Sequence, residues 1–194
     1  MATYFEMKEC YKKDADNFCS GRITLAAKGI ATECYKTLKE EGYQAYLAAQ
    51  EHRVTPALEH VVEANTLLSG IGFESGGICA AHPINNGIAE LPETHSRMHG
   101  EKVPFSLICQ LILAGETTEI IEEIMTFFSR IGLPITLKEL GIDAITTEQL
   151  ELIGNIAAGD PCIKNLPLRA DAQAVEAAVI LADRMGTDFR NREN

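Results

Sequence analysis

Three histidines lie within 18 positions of the sequence and have the chemistry to bind a metal ion. His82 follows the small-residue run GGICAA, and His95 and His99 are four residues apart in THSRMHGEK. Neutral imidazoles are common ligands of divalent cations such as zinc, often with a carboxylate and one position open to a substrate oxygen. The grouping indicates a candidate metal site, although surface imidazoles without a ligand role fit the same pattern.

The backbone around these histidines is also unusual. Small residues before His82 allow another backbone segment or a ligand to approach closely. His95 and His99 share a face if their segment is helical, but the glutamate of an HExxH motif is missing, which argues against a metalloprotease. The other two histidines, His52 and His60, lie in charged segments and are predicted to be at the surface.

Motifs for nucleotide binding and for nucleophilic catalysis are absent. The stretch SGIGFESG departs from GxGxxG at its last position and follows a predicted helix instead of a strand. No GxxxxGK[ST] or GxSxG motif occurs. The six cysteines form no CxxC pair and are predicted to be buried reduced thiols, Cys79 among them in a packing role.

Helical patterns predominate among the elements that must position the histidines. The predicted helices cover Ala2–Phe18, Thr24–Leu38 with Gly42 as a stop, Thr55–Leu68, Ser106–Ala114, Glu119–Ile131 and Ala170–Arg184, with capping boxes near Thr136 and Thr147 and a frayed tail after Arg184. Pro104 is expected to start or kink its helix. No period-two run or hairpin turn indicates a strand. The sequence therefore predicts an all-α fold of seven to nine helices, as one domain over residues 1–194.

Composition limits the possible partners. The formal net charge is −11 and the pI is about 4.9. A binding surface for nucleic acid or anionic membranes would be basic, so both partners are excluded. The charged N-terminus argues against a signal peptide, and the lack of a long apolar run argues against a membrane helix. The sequence therefore predicts a cytoplasmic protein.

A long segment resembles the metal-binding region of glycerol dehydrogenases, in the iron-containing (group III) alcohol dehydrogenase family. The matching parts are GFESGG, then AAH-x-I-x-NG, then a histidine followed by GEKV. The resemblance extends to ATYFE at the start and to the GDP and NLP loop at residues 159–167. It covers essentially the whole chain.

The resemblance implies the C-terminal helical domain of an enzyme that oxidises glycerol to dihydroxyacetone, using NAD and a divalent metal such as zinc. His82 and His99 match the family's metal-binding histidines, and Phe73 matches the aromatic residue that packs against the polyol. His95 is not assigned as a ligand. The third ligand of the family, an aspartate, falls before Met1, and the NAD-binding α/β domain is not part of this chain. Asn85 stands where many members have a histidine.

Several expectations follow for the chain itself. We expect it to lack dehydrogenase activity alone, to bind its metal weakly because a ligand is missing, and to form a homo-oligomer. It represents a truncated catalytic-family domain, one half of a split dehydrogenase whose NAD-binding half is a separate polypeptide, or a non-enzymatic helical module that binds metal or a partner. These three alternatives stay open on the sequence alone.

Overall fold

The computed structural model describes residues 1–193, and this part of the chain contains helices and turns with no β-strand. The all-α prediction is confirmed. The only extended pairing among these residues is an isolated bridge between Asp16 and Arg22. The described chain divides into two compact units, Met1–Ile78 and Cys79–Asn194. The expectation of one domain over residues 1–194 stays a prediction.

The first unit contains four α-helices. These are α1 (Ala2–Lys13), α2 (Leu25–Gln50), α3 (Pro56–Glu63) and α4 (Ser69–Gly76). The helix α2 buries a face of small side chains, including Ala27, Ala31 and Ala45, against the other helices. Because these side chains are short, the helix axes can approach closely.

A π-helical turn at Ala64–Leu68 connects α3 directly to α4. The predicted start is correct, since Thr55 Oγ1 accepts a hydrogen bond from the Leu58 N–H at 3.3 Å and Pro56 follows as the first helical residue. The predicted end at Leu68 is wrong, because the chain continues helically to Gly76. A π turn contains one extra residue per turn and changes which side chains share a face. It therefore sets the direction in which α4 presents its residues.

The described part of the second unit, which ends at Glu193, contains five α-helices and three short 3₁₀ turns. The helices are α5 (Ala81–Ala89), α6 (His99–Leu113), α7 (Thr118–Arg130), α8 (Thr147–Gly159) and α9 (Ala172–Glu193); the turns are Pro92–Thr94, Lys138–Leu140 and Pro161–Asn165. The helix α6 contacts α5, α7 and α9 and is buried on nearly every side from Pro104 to Leu111. Burial of this segment on most faces was predicted from its apolar sequence. The helix nevertheless begins at His99, so Pro104 lies inside it instead of starting it.

Three further predicted helix ends are wrong. Helix α1 ends at Lys13, where Asp14 adopts the left-handed conformation with φ 56°. Helix α2 continues through the buried Gly42 to Gln50. The expected frayed tail is helical as far as Glu193, since Arg190 donates to Glu139 Oε1 at 2.8 Å and also to Ser129; Asn194 lies outside the described residues.

The two predicted capping boxes have different outcomes. Thr146, one residue before the predicted position, caps α8 and forms a reciprocal pair with Gln149. The box at Thr136 and Glu139 forms its hydrogen bonds, but only a 3₁₀ turn follows. Gly141, with φ 101°, ends that turn.

Four of the cysteines are almost completely buried: Cys10, Cys34, Cys79 and Cys109. Burial raises the pKa of the Cys34 thiol and also that of the Cys109 thiol. The predicted packing role of Cys79 agrees with its complete burial. Within the described residues, no helix is both long enough and apolar enough to cross a membrane.

Candidate metal centre

The two histidines assigned as metal ligands lie at the beginnings of successive helices in the second unit. His82 is in the first turn of α5, and His99 is the first residue of α6. Their ring centroids are 5.5 Å apart, and the ring planes are tilted by 32°. The structure therefore brings these two side chains together, while their role as metal ligands stays a prediction.

The start of α5 is fixed by a side chain from α6. The N-cap residue, Ala80, has no side chain able to accept a hydrogen bond. Gln110 Oε1 takes that role, accepting from the Ala80 N–H at 2.9 Å and from the Ala81 N–H at 2.8 Å. Since His82 is the next residue, Gln110 also fixes the backbone that carries the first imidazole.

The start of α6 is fixed from within its own segment. Glu101 Oε2 accepts from the Met98 N–H at 2.8 Å, and the negative carboxylate also favours the helix N-terminus. In the preceding turn, the buried Thr94 hydroxyl donates to the carbonyls of Ile88 and Leu91. These contacts hold the backbone on both sides of the segment leading to His99.

Asn85 links the two helices at the imidazoles. It lies one helical turn after His82, is only 3% exposed, and has its Nδ2 3.3 Å from His99 Nδ1. Its Oδ1 is buried without a hydrogen-bond partner. A buried polar atom without a partner is uncommon in folded proteins and has a free-energy cost.

The pair of imidazoles fits a divalent cation as part of its ligand set. With Zn–N distances of about 2 Å and tetrahedral angles, the centroids of two ligating rings are about 5 Å apart, close to the separation seen here. Within residues 1–193, no group of three or more His, Cys, Asp or Glu side chains is arranged to hold a metal ion. The described residues therefore provide two imidazoles, and further ligands would have to come from elsewhere.

The remaining histidines lie apart from this pair. His95 is exposed and follows the 3₁₀ turn Pro92–Thr94, so it does not share a helix face with His99. His60 Nδ1 is 2.8 Å from Glu41 Oε2, and His52 is exposed with φ 52° just after α2. The surface placement predicted for His52 and His60 is correct.

Phe73, the predicted polyol contact, belongs to the first unit. It lies on α4, and its ring centroid is 5.2 Å from that of Phe18, a residue that is 56% exposed. The glycines after it approach other parts of the same unit: a Cβ on Gly76 would be 2.7 Å from Met7 Cγ, and one on Gly77 would be 3.2 Å from Cys10 Sγ. The sequence predicted that another backbone segment or a ligand approaches this run of small residues closely. Within the first unit, the atoms that approach Gly76 and Gly77 most closely belong to Met7 and Cys10.

Sequence reasoning missed the two buried amides at this centre. Asn85 was noted only as a departure from the family pattern, and Gln110 was not singled out at all. Gln110 had a visible signal, because it is a polar residue inside the otherwise apolar SLICQLILA segment. Asn85 had none, since its partner His99 is 14 residues away and on another helix.

Comparisons with known proteins cover nearly the whole chain. No family model matches it. A glycerol dehydrogenase of Escherichia coli O6:H1 is 43% identical over 190 residues, which are 97% of this chain and 52% of that protein. A glycolaldehyde reductase of Halobacterium salinarum is 40% identical over 193 residues, or 99% of this chain and 53% of that protein.

A solved structure shows the same fold. The crystal structure of glycerol dehydrogenase from Schizosaccharomyces pombe superposes with a TM-score of 0.95 at 33% identity, over 99% of this chain and 49% of that one. The chain thus spans about half the length of the relatives it matches. The matched half is their helical domain.

Proposed function

Because this chain belongs to the glycerol dehydrogenase family, we propose that it forms the metal- and polyol-binding helical part of a NAD-linked glycerol dehydrogenase. The observation that carries the proposal is the pair His82 and His99, with ring centroids 5.5 Å apart at the beginnings of α5 and α6. The sequence and structural similarity to glycerol dehydrogenases supports the same proposal.

In this proposal, His82 and His99 act as neutral imidazoles that hold a divalent cation, with zinc as the first candidate. Such a cation, when bound, supplies Lewis acidity that makes a polyol hydroxyl easier to deprotonate. The contribution of the chain is to orient the two rings. Gln110 holds the backbone before His82, and Glu101 holds the start of the helix that carries His99.

Phe73 is proposed as an apolar contact for the carbon chain of the polyol. The ring of Phe73 packs against the exposed Phe18, which provides an apolar neighbour within the first unit. The substrate class is a small polyol such as glycerol. Self-association into a homo-oligomer is also part of the proposal.

This chain contains no dinucleotide-binding fingerprint. The only glycine-rich stretch that resembles a dinucleotide motif, SGIGFESG, lies on α4 and follows helix instead of a strand. We therefore assign no residue here to the cofactor and derive no step through it. In the proposal, the dinucleotide binds to residues outside these 194, in the same polypeptide or in a separate one.

The first test is metal stoichiometry. The chain is dialysed to equilibrium against zinc, so that weak binding is also detected, and the bound zinc is determined by mass spectrometry. We expect about one equivalent per chain, and loss of that zinc in both the His82→Ala and His99→Ala variants, since each removes one of two imidazole ligands.

His95→Ala is the matched control, because His95 is exposed and lies four residues before His99. It should retain the zinc of the unmodified chain. Absence of bound zinc, or zinc that is retained in both ligand variants, would contradict the proposed metal site. Tight zinc binding that is indifferent to added glycerol would favour a helical metal-binding module without a polyol site.

A further inference from the structure

The amide of Asn85 lies within hydrogen-bond distance of one proposed metal-binding ring, that of His99. Asn85 Nδ2 lies 3.3 Å from His99 Nδ1, and Asn85 is only 3% exposed. The same amide has a buried oxygen, Oδ1, with no hydrogen-bond partner. The side chain is therefore buried, directed at the site, and incompletely satisfied.

The orientation of the amide determines which nitrogen of His99 carries the proton. An NH₂ group facing Nδ1 donates to that nitrogen and requires the ring proton to be on Nε2. An oxygen facing Nδ1 accepts from an Nδ1–H and leaves the Nε2 lone pair available. The two orientations differ by a 180° rotation of the amide, and the choice between them is an assignment based on the hydrogen-bond network.

Metal binding favours the second orientation. A histidine that ligates through Nε2 must carry its proton on Nδ1, and that N–H needs an acceptor. Rotating the amide of Asn85 places Oδ1, the atom without a partner, against that N–H. The rotation gives the buried oxygen a partner and leaves Nε2 of His99 available to ligate, while the NH₂ group takes the buried position that the oxygen now occupies.

We infer that Asn85 is a positioning residue that accepts a hydrogen bond from His99 Nδ1–H and thereby presents His99 Nε2 to the cation. The inference rests on the proposed function, because it assigns Asn85 a role toward the same metal. It adds a residue from α5 that controls a ligand on α6. Both helices are then coupled at the site through a side chain that does not ligate.

The first readout is the protonation of the His99 ring in the metal-free chain. With ¹⁵N-labelled histidine at a pH where the ring is neutral, ¹⁵N chemical shifts separate the Nδ1–H from the Nε2–H tautomer, and His99→Ala assigns the signal. We expect Nδ1–H in the unmodified chain and a shift of the population toward Nε2–H in Asn85→Leu. Asn85→Asp, which can only accept, should retain Nδ1–H.

The second readout is zinc affinity, measured by competition with a chelating indicator. Loss of the outer hydrogen bond in Asn85→Leu should weaken zinc binding about 10- to 100-fold. Asn85→Asp should bind at least as tightly as the unmodified chain. Asn86→Leu is the matched control, because Asn86 is the next residue on α5, is exposed, and donates from its amide to Asp160 Oδ2 at 3.4 Å instead of facing the imidazoles.

The outcomes separate this inference from the proposed function. An Nε2–H tautomer in the unmodified chain, or a tautomer that does not respond to Asn85→Leu, would overturn the inference whether or not zinc binds. Zinc binding that depends on His99 but not on Asn85 would overturn it while leaving the proposed function intact. Failure of the chain to bind zinc at all would count against the proposed function, and the tautomer measurement would still decide the role of Asn85.

Discussion

Gln110 illustrates how one buried side chain supports the candidate site without touching it. It is completely buried, and its Oε1 accepts from two successive backbone N–H groups at the start of α5. Without that oxygen, the N–H groups of Ala80 and Ala81 would be buried donors lacking an acceptor, because the N-cap residue cannot supply one. The imidazole of His82 depends on this contact through the backbone.

We therefore predict that Gln110→Leu, which retains volume but removes the acceptor, lowers the free energy of unfolding by about 2 kcal/mol. Urea unfolding followed by circular dichroism measures the change. Gln173→Leu, an exposed substitution at the start of α9, is the control and should change stability by less than about 0.5 kcal/mol. Equal stability of the two variants would show that the Gln110 contacts contribute nothing net.

At the scale of elements, the site depends on how closely α5 approaches α8. Gly87 is at this contact, and a Cβ added to it would be 2.8 Å from the Cα of Ile153 and 2.9 Å from its carbonyl oxygen. Backbone atoms cannot move aside as the end of a flexible side chain can. The position of the helix that carries His82 and Asn85 thus depends on the absence of a side chain at Gly87.

Gly87→Ala should force α5 and α8 apart and destabilise the chain by about 1–3 kcal/mol, the usual cost of overpacking. Gly29→Ala is the contrasting variant, since Gly29 is inside α2 and has nothing within 4 Å of an added Cβ. It should stabilise by up to about 1 kcal/mol, because alanine loses less backbone entropy in a helix. Thermal unfolding of both variants tests the opposite signs, and a stable Gly87→Ala would refute the close-contact argument.

The features predicted correctly from the sequence are those determined by neighbouring residues. Thr55 and Pro56 start a helix through contacts within four positions, and the apolar run around Leu107 predicts burial of α6. Both signals are complete within the segment that they describe.

The features that were missed depend on residues far along the chain. The end of α9 is held by Glu139, 51 positions away from Arg190, and the start of α5 is held by Gln110, 29 positions away from Ala81. The family motifs identified His82 and His99, but they gave no indication of the amide between the helices. Contacts of this kind have no local sequence pattern, because either partner alone looks like an ordinary polar residue.

At the scale of the whole molecule, the chain spans about half the length of its relatives and carries the two imidazoles that we propose as metal ligands. We assign none of its residues to NAD. In the proposed reaction, these 194 residues would therefore position no acceptor for a hydride from glycerol. The proposed reaction needs residues beyond these 194.

We predict that the 194-residue chain, loaded with zinc, does not reduce NAD in the presence of glycerol above the rate without protein. Absorbance at the wavelength of reduced nicotinamide is the measurement. Addition of the dinucleotide-binding half of a relative should restore turnover if the two halves assemble. Turnover by the chain alone would contradict the assignment of the cofactor site to other residues.

The distribution of buried thiols allows the opening of each unit to be measured separately. Cys10 and Cys34 lie in the unit Met1–Ile78, Cys79 and Cys109 lie in the unit Cys79–Asn194, and all four are nearly inaccessible, whereas Cys19 is exposed. Because alkylating reagents attack only an accessible thiolate, each buried thiol acquires a label when its surroundings open. Peptide mapping after a pulse of reagent would give a separate opening rate for each unit. The order of labelling in increasing urea thus records whether the chain unfolds in one cooperative transition or one unit at a time.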